Sequence, residues 1–270
     1  MKAEISPDIT SEIIDQATEF GASLAGIADV EAVKNSPSHL IYGKLDAYKT
    51  VGNIDINEIS PGEVVWPENA KSVIVIAVVH SKEEPELDWW MDGYTGGTHG
   101  NRMLMSINDK LSQWMKKEKG IQCTKLPYHI EHGGIFLKDA AVLAGLGCIG
   151  KNNMVVTPDY GPRVRLRAMF TDAGLEATGP VDFDPCESCN MPCRRVCPQE
   201  AFQKTIYPEE KPGMTRLPAR AGAYSRYLCN MQMERDYKNS ELIMIEGHHK
   251  RGGLVKYCRR CELACPVGEK

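Results

Sequence analysis

The sequence predicts an α+β protein in two parts, and two observations support this prediction. Helical and strand patterns alternate through the first 178 residues, whereas eight of the ten cysteines lie in residues 179–270. A chain of 270 residues is long enough for one large domain and one small domain. We therefore expect an α/β domain over residues 1–178 and a small domain of loops and short turns over residues 179–270.

Three helices are predicted from apolar residues that recur at helical spacing. The first follows Ser11, a candidate cap, and ends near Gly21. The second ends at Lys119 and Gly120, and the third runs from Gly134 to Ala144. The apolar positions of the first two are Ile13, Ile14, Ala17 and Phe20, then Leu104, Ile107, Leu111 and Trp114.

Five short segments have strand patterns. The clearest are the apolar run 72–79 and the segment 164–170, in which apolar residues alternate with polar ones. The others are residues 24–28, 121–126 and 154–156. Residues 35–67 form a long irregular stretch, and loops of that length are usually functional.

The composition is that of an ordinary globular protein, with 42% hydrophobic and 25% charged residues. The formal net charge of -4 gives no field that would hold a polyanion, so we expect no nucleic acid partner. The longest apolar run is too short to span a bilayer, and the chain opens without an apolar signal segment. We expect a cytoplasmic protein that does not enter a membrane.

Two cysteine runs carry the strongest chemical signal in the chain. They read Cys186-x-x-Cys189-x-x-x-Cys193-x-x-x-Cys197-Pro198 and, after Cys229, Cys258-x-x-Cys261-x-x-x-Cys265-Pro266. Bacterial two-cluster ferredoxins use a similar run, in which the cysteine before proline binds the other cluster. This rule predicts two 4Fe-4S clusters, one held by Cys186, Cys189, Cys193 and Cys265, the other by Cys197, Cys229, Cys258 and Cys261.

Two alternatives for these cysteines stay open. Two zinc sites with four thiolates each are the stronger, because C-x-x-C pairs also bind zinc. Disulfides suit small secreted domains better than a chain of this length. The gap between Cys189 and Cys193 has three residues, whereas the corresponding gap of the ferredoxin run has two. This difference requires a longer loop but removes no ligand.

A glycine-rich turn and an arginine-bearing strand face are the candidate binding elements of the first part. Glycines let a backbone approach a ligand closely, although a turn that only ends a helix has the same composition. Three guanidiniums on one strand face can hold a phosphate or another anion, although exposed strand faces often carry charge without a ligand. The turn comprises Gly145, Gly147, Cys148, Ile149, Gly150, Lys151 and Asn152, and the strand face comprises Arg163, Arg165 and Arg167.

The order of three segments resembles the family of epoxyqueuosine reductases and reductive dehalogenases. These segments are Ala144–Asn152, Gly161–Asp172 and the two cysteine runs. In that family a nitroreductase-like α/β sandwich domain holds base-off cobalamin, and a ferredoxin-like domain holds two 4Fe-4S clusters. The resemblance implies the same cofactors here, with electrons passing from the clusters to cobalamin beside the glycine-rich turn. Because His129 and His132 do not fit the Asp-x-His-x-x-Gly pattern, we expect no protein ligand to cobalt.

The resemblance also implies a proton donor. The family's catalytic aspartate lies fourteen residues before the first glycine of the turn, and that count falls on Glu131. His132, His129 and Tyr128 are neighbouring candidates that can exchange protons. The alternatives are a solvated loop carboxylate and histidines with purely structural roles.

Three functions follow from these features. The first is a corrinoid-dependent iron-sulfur reductase that cleaves a small molecule and takes electrons from ferredoxin or flavodoxin. The second is an electron-transfer protein that reduces the corrinoid of a partner protein, and the third is an iron-sulfur carrier with flavin or no second cofactor. Epoxyqueuosine reductases carry a further helical-repeat domain that grips transfer RNA, and the sequence ends before such a domain, so we do not expect a tRNA substrate.

Overall fold

The computed structural model describes residues 7–42, 64–208, 217–245 and 251–268. The architecture is mixed α/β, as the sequence predicts. The helices are α1 Pro7–Glu19, α2 Val30–Lys34, α3 Pro37–Ile41, α4 His99–Trp114, α5 Leu137–Leu143, α6 Pro192–Arg195, α7 Arg226–Lys238 and α8 Arg260–Leu263. The strands are β1 Leu24–Asp29, β2 Ser72–Val79, β3 Trp90–Met91, β4 Cys123–Lys125, β5 Cys148–Ile149, β6 Val155–Val156, β7 Val164–Thr171, β8 Glu241–Met244 and β9 Arg251–Val255.

A four-stranded antiparallel sheet lies at the centre of the first part, in the order β1-β2-β7-β4. Helices cover both of its faces. Residues of α5 pack on the face that carries Val75 and Phe170, whereas α1 and α4 pack on the face that carries Ile76 and Met169. Because β2 is central and covered on both faces, all of its residues from Ser72 to Val78 are buried, which explains its unbroken apolar run.

Helix α4 illustrates how the sequence sets an element. The Thr98 side chain accepts a hydrogen bond from Asn101 N–H, 3.1 Å away, and so caps the first turn. A π-helical turn, Met115–Lys119, extends the helix to Gly120, whose φ of 68° ends it as predicted. In the part of the chain that the structure describes, no helix is long and apolar enough to cross a membrane.

Two predicted helix starts are wrong. Helix α1 begins at Pro7 and not after Ser11, because proline is well suited to the first turn of a helix, where no backbone N–H is needed. Helix α5 begins at Leu137 and not at Gly134. Gly134 belongs to a tight preceding turn, in which a Cβ would lie 2.7 Å from the carbonyl oxygens of both Pro127 and His129.

The predicted irregular stretch 35–67 is only partly described. Residues 43–63 lie outside the described residues, as do His248 and His249, for which the charged sequence around them predicts a solvated loop. Within the stretch, Pro37–Ile41 form helix α3, and Asp139 of α5 binds the first turn of this helix. The Asp139 carboxylate accepts hydrogen bonds from Ser38 N–H and Ser38 Oγ, each 2.7 Å long.

The prediction that the cysteine-rich part is nearly all loops and short turns is wrong. It contains the helix α7, thirteen residues long, and the antiparallel strands β8 and β9. No apolar stripe marks α7, and none of its residues is buried, so hydrophobic periodicity could not reveal it. Strand β3 of the first part pairs with β9, with Trp90 opposite Val255, and thereby joins the two parts in one sheet.

Gly100 allows α4 to pack against a buried histidine. An ideal Cβ at this position would lie 2.0 Å from both Cε1 and Nε2 of His80 and 3.0 Å from Leu87 O. We expect Gly100→Ala to lower the unfolding free energy by about 3 kcal/mol, because His80 is fully buried and the added methyl group would overpack this contact. Urea denaturation of this variant and of Gly174→Ala, where the nearest atom is Lys71 Cδ at 3.8 Å, tests this. Equal losses in the two variants would contradict it.

His39 should make the fold sensitive to acid. Burial lowers its pKa from 6.5 to about 4, and its Nε2 accepts a hydrogen bond from Phe136 N–H, 3.2 Å away. Between these two pH values the unfolded chain binds a proton that the folded protein excludes, so stability falls as the pH falls, by up to about 3 kcal/mol. We expect His39→Gln to flatten the pH dependence of the unfolding free energy over this range. A variant with the wild-type slope would rule His39 out as the cause.

Candidate functional site

The structure brings together the four thiols that the sequence assigned to the first cluster. Cys186, Cys189, Cys193 and Cys265 line one cavity. All but Cys189 are buried. Burial, reinforced by the charges of the other three thiols, raises the pKa of Cys193 to about 11. Met191 N–H donates to Cys189 Sγ at 3.4 Å, a contact of the kind that stabilises a cluster thiolate.

The second set of thiols is also brought together. Cys261 on α8 lies within electrostatic range of Cys229, Cys258 and Cys197, and its burial, with their charges, raises its pKa to about 12. Ala201 N–H donates to Cys197 Sγ at 3.4 Å. Cys229 comes from α7, which sequence reasoning missed, although it assigned the cysteine itself. Each set therefore offers four sulfur donors, which is the donor set of a 4Fe-4S cluster.

A zinc site would require the four thiols of one set to converge on a single metal ion. Zinc bonds thiolate sulfur at about 2.3 Å, so the four ligands of one ion must converge closely on a point. Within the described ranges, no group of three or more His, Cys, Asp or Glu side chains is arranged to hold a single metal ion.

The glycine-rich turn ends helix α5. Gly145 has a φ of 76°, and the N–H groups of Gly145 and Leu146 donate to Val142 O and Ala141 O at 3.0 and 2.9 Å, the bonding of a Schellman motif. A Cβ at Gly147 would lie 2.1 Å from Val156 O. Close approach to the protein's own backbone thus accounts for both glycines.

Past its glycines, the turn contacts the cysteine-rich part. Arg194 Nε donates to Lys151 O at 2.9 Å, and Ala219 N–H donates to Asn153 Oδ1 at 3.0 Å. Lys151 and Asn152 also line the cavity of the first four thiols. The turn therefore lies beside the first thiol group; a role of its residues in binding a cofactor stays a prediction.

Cys148, in β5 within the turn, is a ninth thiol near the first group. Burial, followed by the charge of Cys186, raises its pKa to about 11. Cys123, the tenth cysteine, lies in β4, where its Sγ is 3.5 Å from Met115 Sδ. Burial raises the pKa of this thiol to about 11 too. Neither cysteine belongs to the two runs.

The predicted arginine face exists on β7, but its guanidiniums contact protein groups. Arg163 is buried and donates to Cys265 O at 3.1 Å and to Val267 O at 2.5 Å, so it anchors the end of the second cysteine run. Arg167 Nε donates to Asn101 Oδ1 at 3.0 Å and its Nη1 to Leu126 O at 3.2 Å. Binding of an anion by these arginines stays a prediction.

Arg165, the third of them, enters a partly buried ion network that the sequence did not suggest. Its guanidinium donates to both oxygens of Asp88, at 2.8 and 2.9 Å, and to Glu262 at 2.8 Å. Arg259 pairs with the same two carboxylates, at 2.8 and 2.5 Å, and His80 Nδ1 lies 2.7 Å from Asp88. Asp88 and Arg165 belong to the first part and Arg259 and Glu262 to the second, so the network joins them.

Charge balance explains how this network is tolerated at a partly buried position. Burial alone would raise the pKa of Asp88, but the hydrogen bond from His80 and the positive charges of Arg165 and Arg259 lower it. Burial likewise opposes the charge of Arg165, and the carboxylates of Glu262 and Asp88 more than offset this and raise its pKa. The members therefore stabilise each other's charged forms.

The predicted proton donors lie in a turn close to the arginine face. Residues Ile130–His132 form a single 3-10 turn, which includes the backbone of Glu131, whereas its side chain lies outside the described part. The rings of His129 and His132 are 5.9 Å apart. Tyr128 is 46% exposed and lies close enough to Arg165 and Arg167 to influence the pKa of both. The candidate proton donors and the arginines predicted to bind an anion therefore lie in one region.

Comparison with known proteins places these features in context. No protein-family model matches the chain. The epoxyqueuosine reductase of Lactococcus garvieae is 26% identical over 207 residues, which are 75% of this chain and 53% of that protein. The enzyme of the same name from Pseudomonas aeruginosa is 24% identical over 279 residues, covering 96% and 68%. A tetrachloroethene reductive dehalogenase of Sulfurospirillum multivorans is 42% identical over 65 residues, covering 23% and 13%.

Solved structures share the fold over almost the whole chain. The epoxyqueuosine reductase of Streptococcus thermophilus has a TM-score of 0.62 at 20% identity, covering 97% of this chain and 67% of that one. A reductive dehalogenase with B12-dependent activity has a TM-score of 0.60 at 17% identity, covering 96% and 32%. An epoxyqueuosine reductase bound to a tRNA stem loop has a TM-score of 0.59 at 19% identity, covering 97% and 66%. The chain spans about half the length of the Lactococcus relative.

Proposed function

Because the chain is a homologue of the epoxyqueuosine reductases and shares the fold of the reductive dehalogenases, we propose that it is an iron-sulfur and corrinoid oxidoreductase. The observation that carries this proposal is the meeting of eight cysteines in two sets of four. We further propose a small-molecule substrate, since the net charge of -4 does not favour binding of tRNA.

The chemistry belongs to the bound groups, which supply low-potential electrons and a nucleophilic metal centre for cleaving a carbon-oxygen or carbon-halogen bond. The protein holds and separates them. In our proposal the first part is nitroreductase-like and binds base-off cobalamin, and the cysteine-rich part is ferredoxin-like and holds the clusters. Lys151 and Asn152 line the first thiol cavity, so in this proposal they would lie beside that cluster.

The residues around the turn at Ile130–His132 complete the site. Tyr128 and Arg167 lie near each other, and a half-exposed phenol beside a guanidinium suits the binding of an anionic or polar substrate. Glu131, His132 and Tyr128 are the proposed sources of the proton that a cleaved bond requires.

Titration with cobalamin in the absence of oxygen tests the corrinoid site. We expect a saturable absorption change to the base-off spectrum at about one cobalamin per chain. An Arg167→Gln variant should bind more weakly if the cationic face contributes, whereas Lys110→Gln, an exposed change on α4, should not. Absence of binding to iron-loaded protein would contradict the corrinoid proposal and leave the cluster proposal standing.

A prediction for the proton donor concerns Glu131. Substitution of Glu131 by glutamine keeps the size of the side chain but removes its proton, so we expect turnover to fall by about a hundredfold or more. Epoxides and organohalides are the substrate classes to screen for the assay. The corrinoid should still be reduced at the wild-type rate. Turnover equal to that of the wild type would remove Glu131 from the mechanism.

A second candidate function is the reduction of a corrinoid that belongs to a partner protein. The packing of Gly145 and Gly147 against the protein's own backbone favours it, because it explains the glycines without a ligand. Reduction of a corrinoid held by another protein, without stable cobalamin binding to this chain, would support this function over the first.

A further inference from the structure

An open concavity lies on the surface of the cysteine-rich part, between the end of α6 and α8. Its volume is about 700 Å³. Arg195 and Arg260 line it together with the apolar side chains of Val196 and Leu263. Val196 is 38% exposed.

This surface borders both thiol groups. Cys197, a member of the second set, lines the concavity itself. Ala264 also lines it and directly precedes Cys265 of the first set. An electron carrier seated here would therefore lie against a ligand of the second cluster and one residue from a ligand of the first.

The charges on this surface are positive. Arg195 and Arg260 are both exposed, and the positive charge of Arg260 reaches Cys258 of the second thiol set. Glu262 of α8 faces inward and pairs with Arg165 and Arg259, so its charge is compensated. On a chain with a net charge of -4, two exposed arginines around an apolar centre give a local field that attracts an acidic partner.

We propose that this concavity, which we call the α6–α8 surface, docks a small acidic ferredoxin. The proposal rests on the proposed function, because it requires the clusters to be present. One electron leaves the reduced ferredoxin and enters the cluster bound by Cys197, so the ferredoxin is oxidised and the bound cluster is reduced by one electron. A ferredoxin fits because plant-type carriers have low reduction potentials, and redox encounters need only small interfaces.

Charge reversal at the two arginines tests the α6–α8 surface. The variant Arg195→Glu/Arg260→Glu, loaded with iron, is mixed without oxygen with reduced plant-type ferredoxin, and cluster bleaching is followed by stopped flow. We expect the second-order rate constant to fall at least about tenfold at low ionic strength, and the difference to shrink as salt is added. The Kd for ferredoxin, measured by calorimetry, should rise in parallel.

Two further variants make the result specific. Lys110→Glu/Lys116→Glu reverses two exposed charges on and just after α4 and should keep the wild-type rate. Arg195→Gln/Arg260→Gln should show a smaller loss than the charge reversal. Iron content and reduction by dithionite, which needs no docking surface, should be the same in all variants.

The possible failures are distinguishable. Wild-type ferredoxin rates in a fully iron-loaded charge-reversal variant would overturn the docking surface and leave the proposed function intact. Reduction of the wild type by flavodoxin but not by ferredoxin would overturn the choice of partner. A wild-type protein that binds no iron would overturn both the docking surface and the proposed function.

Discussion

Replacement of Cys193 by alanine is expected to remove about half of the iron and to stop electron flow to the corrinoid. Cys193 lies within electrostatic range of Cys186, Cys189 and Cys265, so its loss would leave the first proposed cluster with three ligands. The second set of thiols does not include it. We therefore expect iron to fall from about eight to about four atoms per chain, with the spectrum of one cluster retained.

Cys148→Ala is the matched control for this experiment. Cys148 is a half-buried thiol whose pKa is raised by burial and by the charge of Cys186, yet it lies outside both runs. Its removal should leave the iron content unchanged. Full iron retention in Cys193→Ala, or an equal loss in both variants, would show that the thiols are not divided into the two proposed sets.

Arg165→Met is expected to cause the largest loss of stability among single substitutions at the junction of the two parts. The change leaves the buried Glu262 and the partly buried Asp88 without one of their cations, and we expect a cost of about 3 kcal/mol, the lower end of the range for breaking a buried pair. Denaturant unfolding of the wild type and the variant measures the effect.

Arg167→Met provides the comparison on the same strand face. Arg167 bonds neutral oxygens of Asn101 and Leu126, so its removal should cost only about 1.5 kcal/mol or less. Adding Asp88→Asn to Arg165→Met should recover part of the lost stability, because Arg259 and Glu262 then remain as a balanced pair. A loss in Arg165→Met no greater than that in Arg167→Met would show that the network contributes little.

The core of the first part could be predicted because its signals are local. The alternation of Val164, Leu166, Ala168 and Phe170 with arginines gave the correct faces of β7, and these four residues are buried in one core cluster. The unbroken apolar run of β2 likewise followed from its burial on both faces. The ferredoxin rule alone predicted the division of the eight cysteines into two sets of four.

Long-range polar contacts and polar helices were beyond the reach of the sequence. Arg165 is 77 residues from Asp88 and 97 from Glu262, and no local pattern links such partners. Helix α7 has no apolar face to reveal it. For the glycines of the turn the sequence left two interpretations open, a ligand site and the end of a helix, because contacts such as Gly147 with Val156 O arise only from the folded chain.

Metal analysis of protein purified without oxygen tests the central claim most directly. Two 4Fe-4S clusters predict about eight irons and eight acid-labile sulfides per chain, and incubation with cobalamin should add about one cobalt. About two zinc ions per chain in place of iron would contradict the proposal that the cysteines bind iron-sulfur clusters.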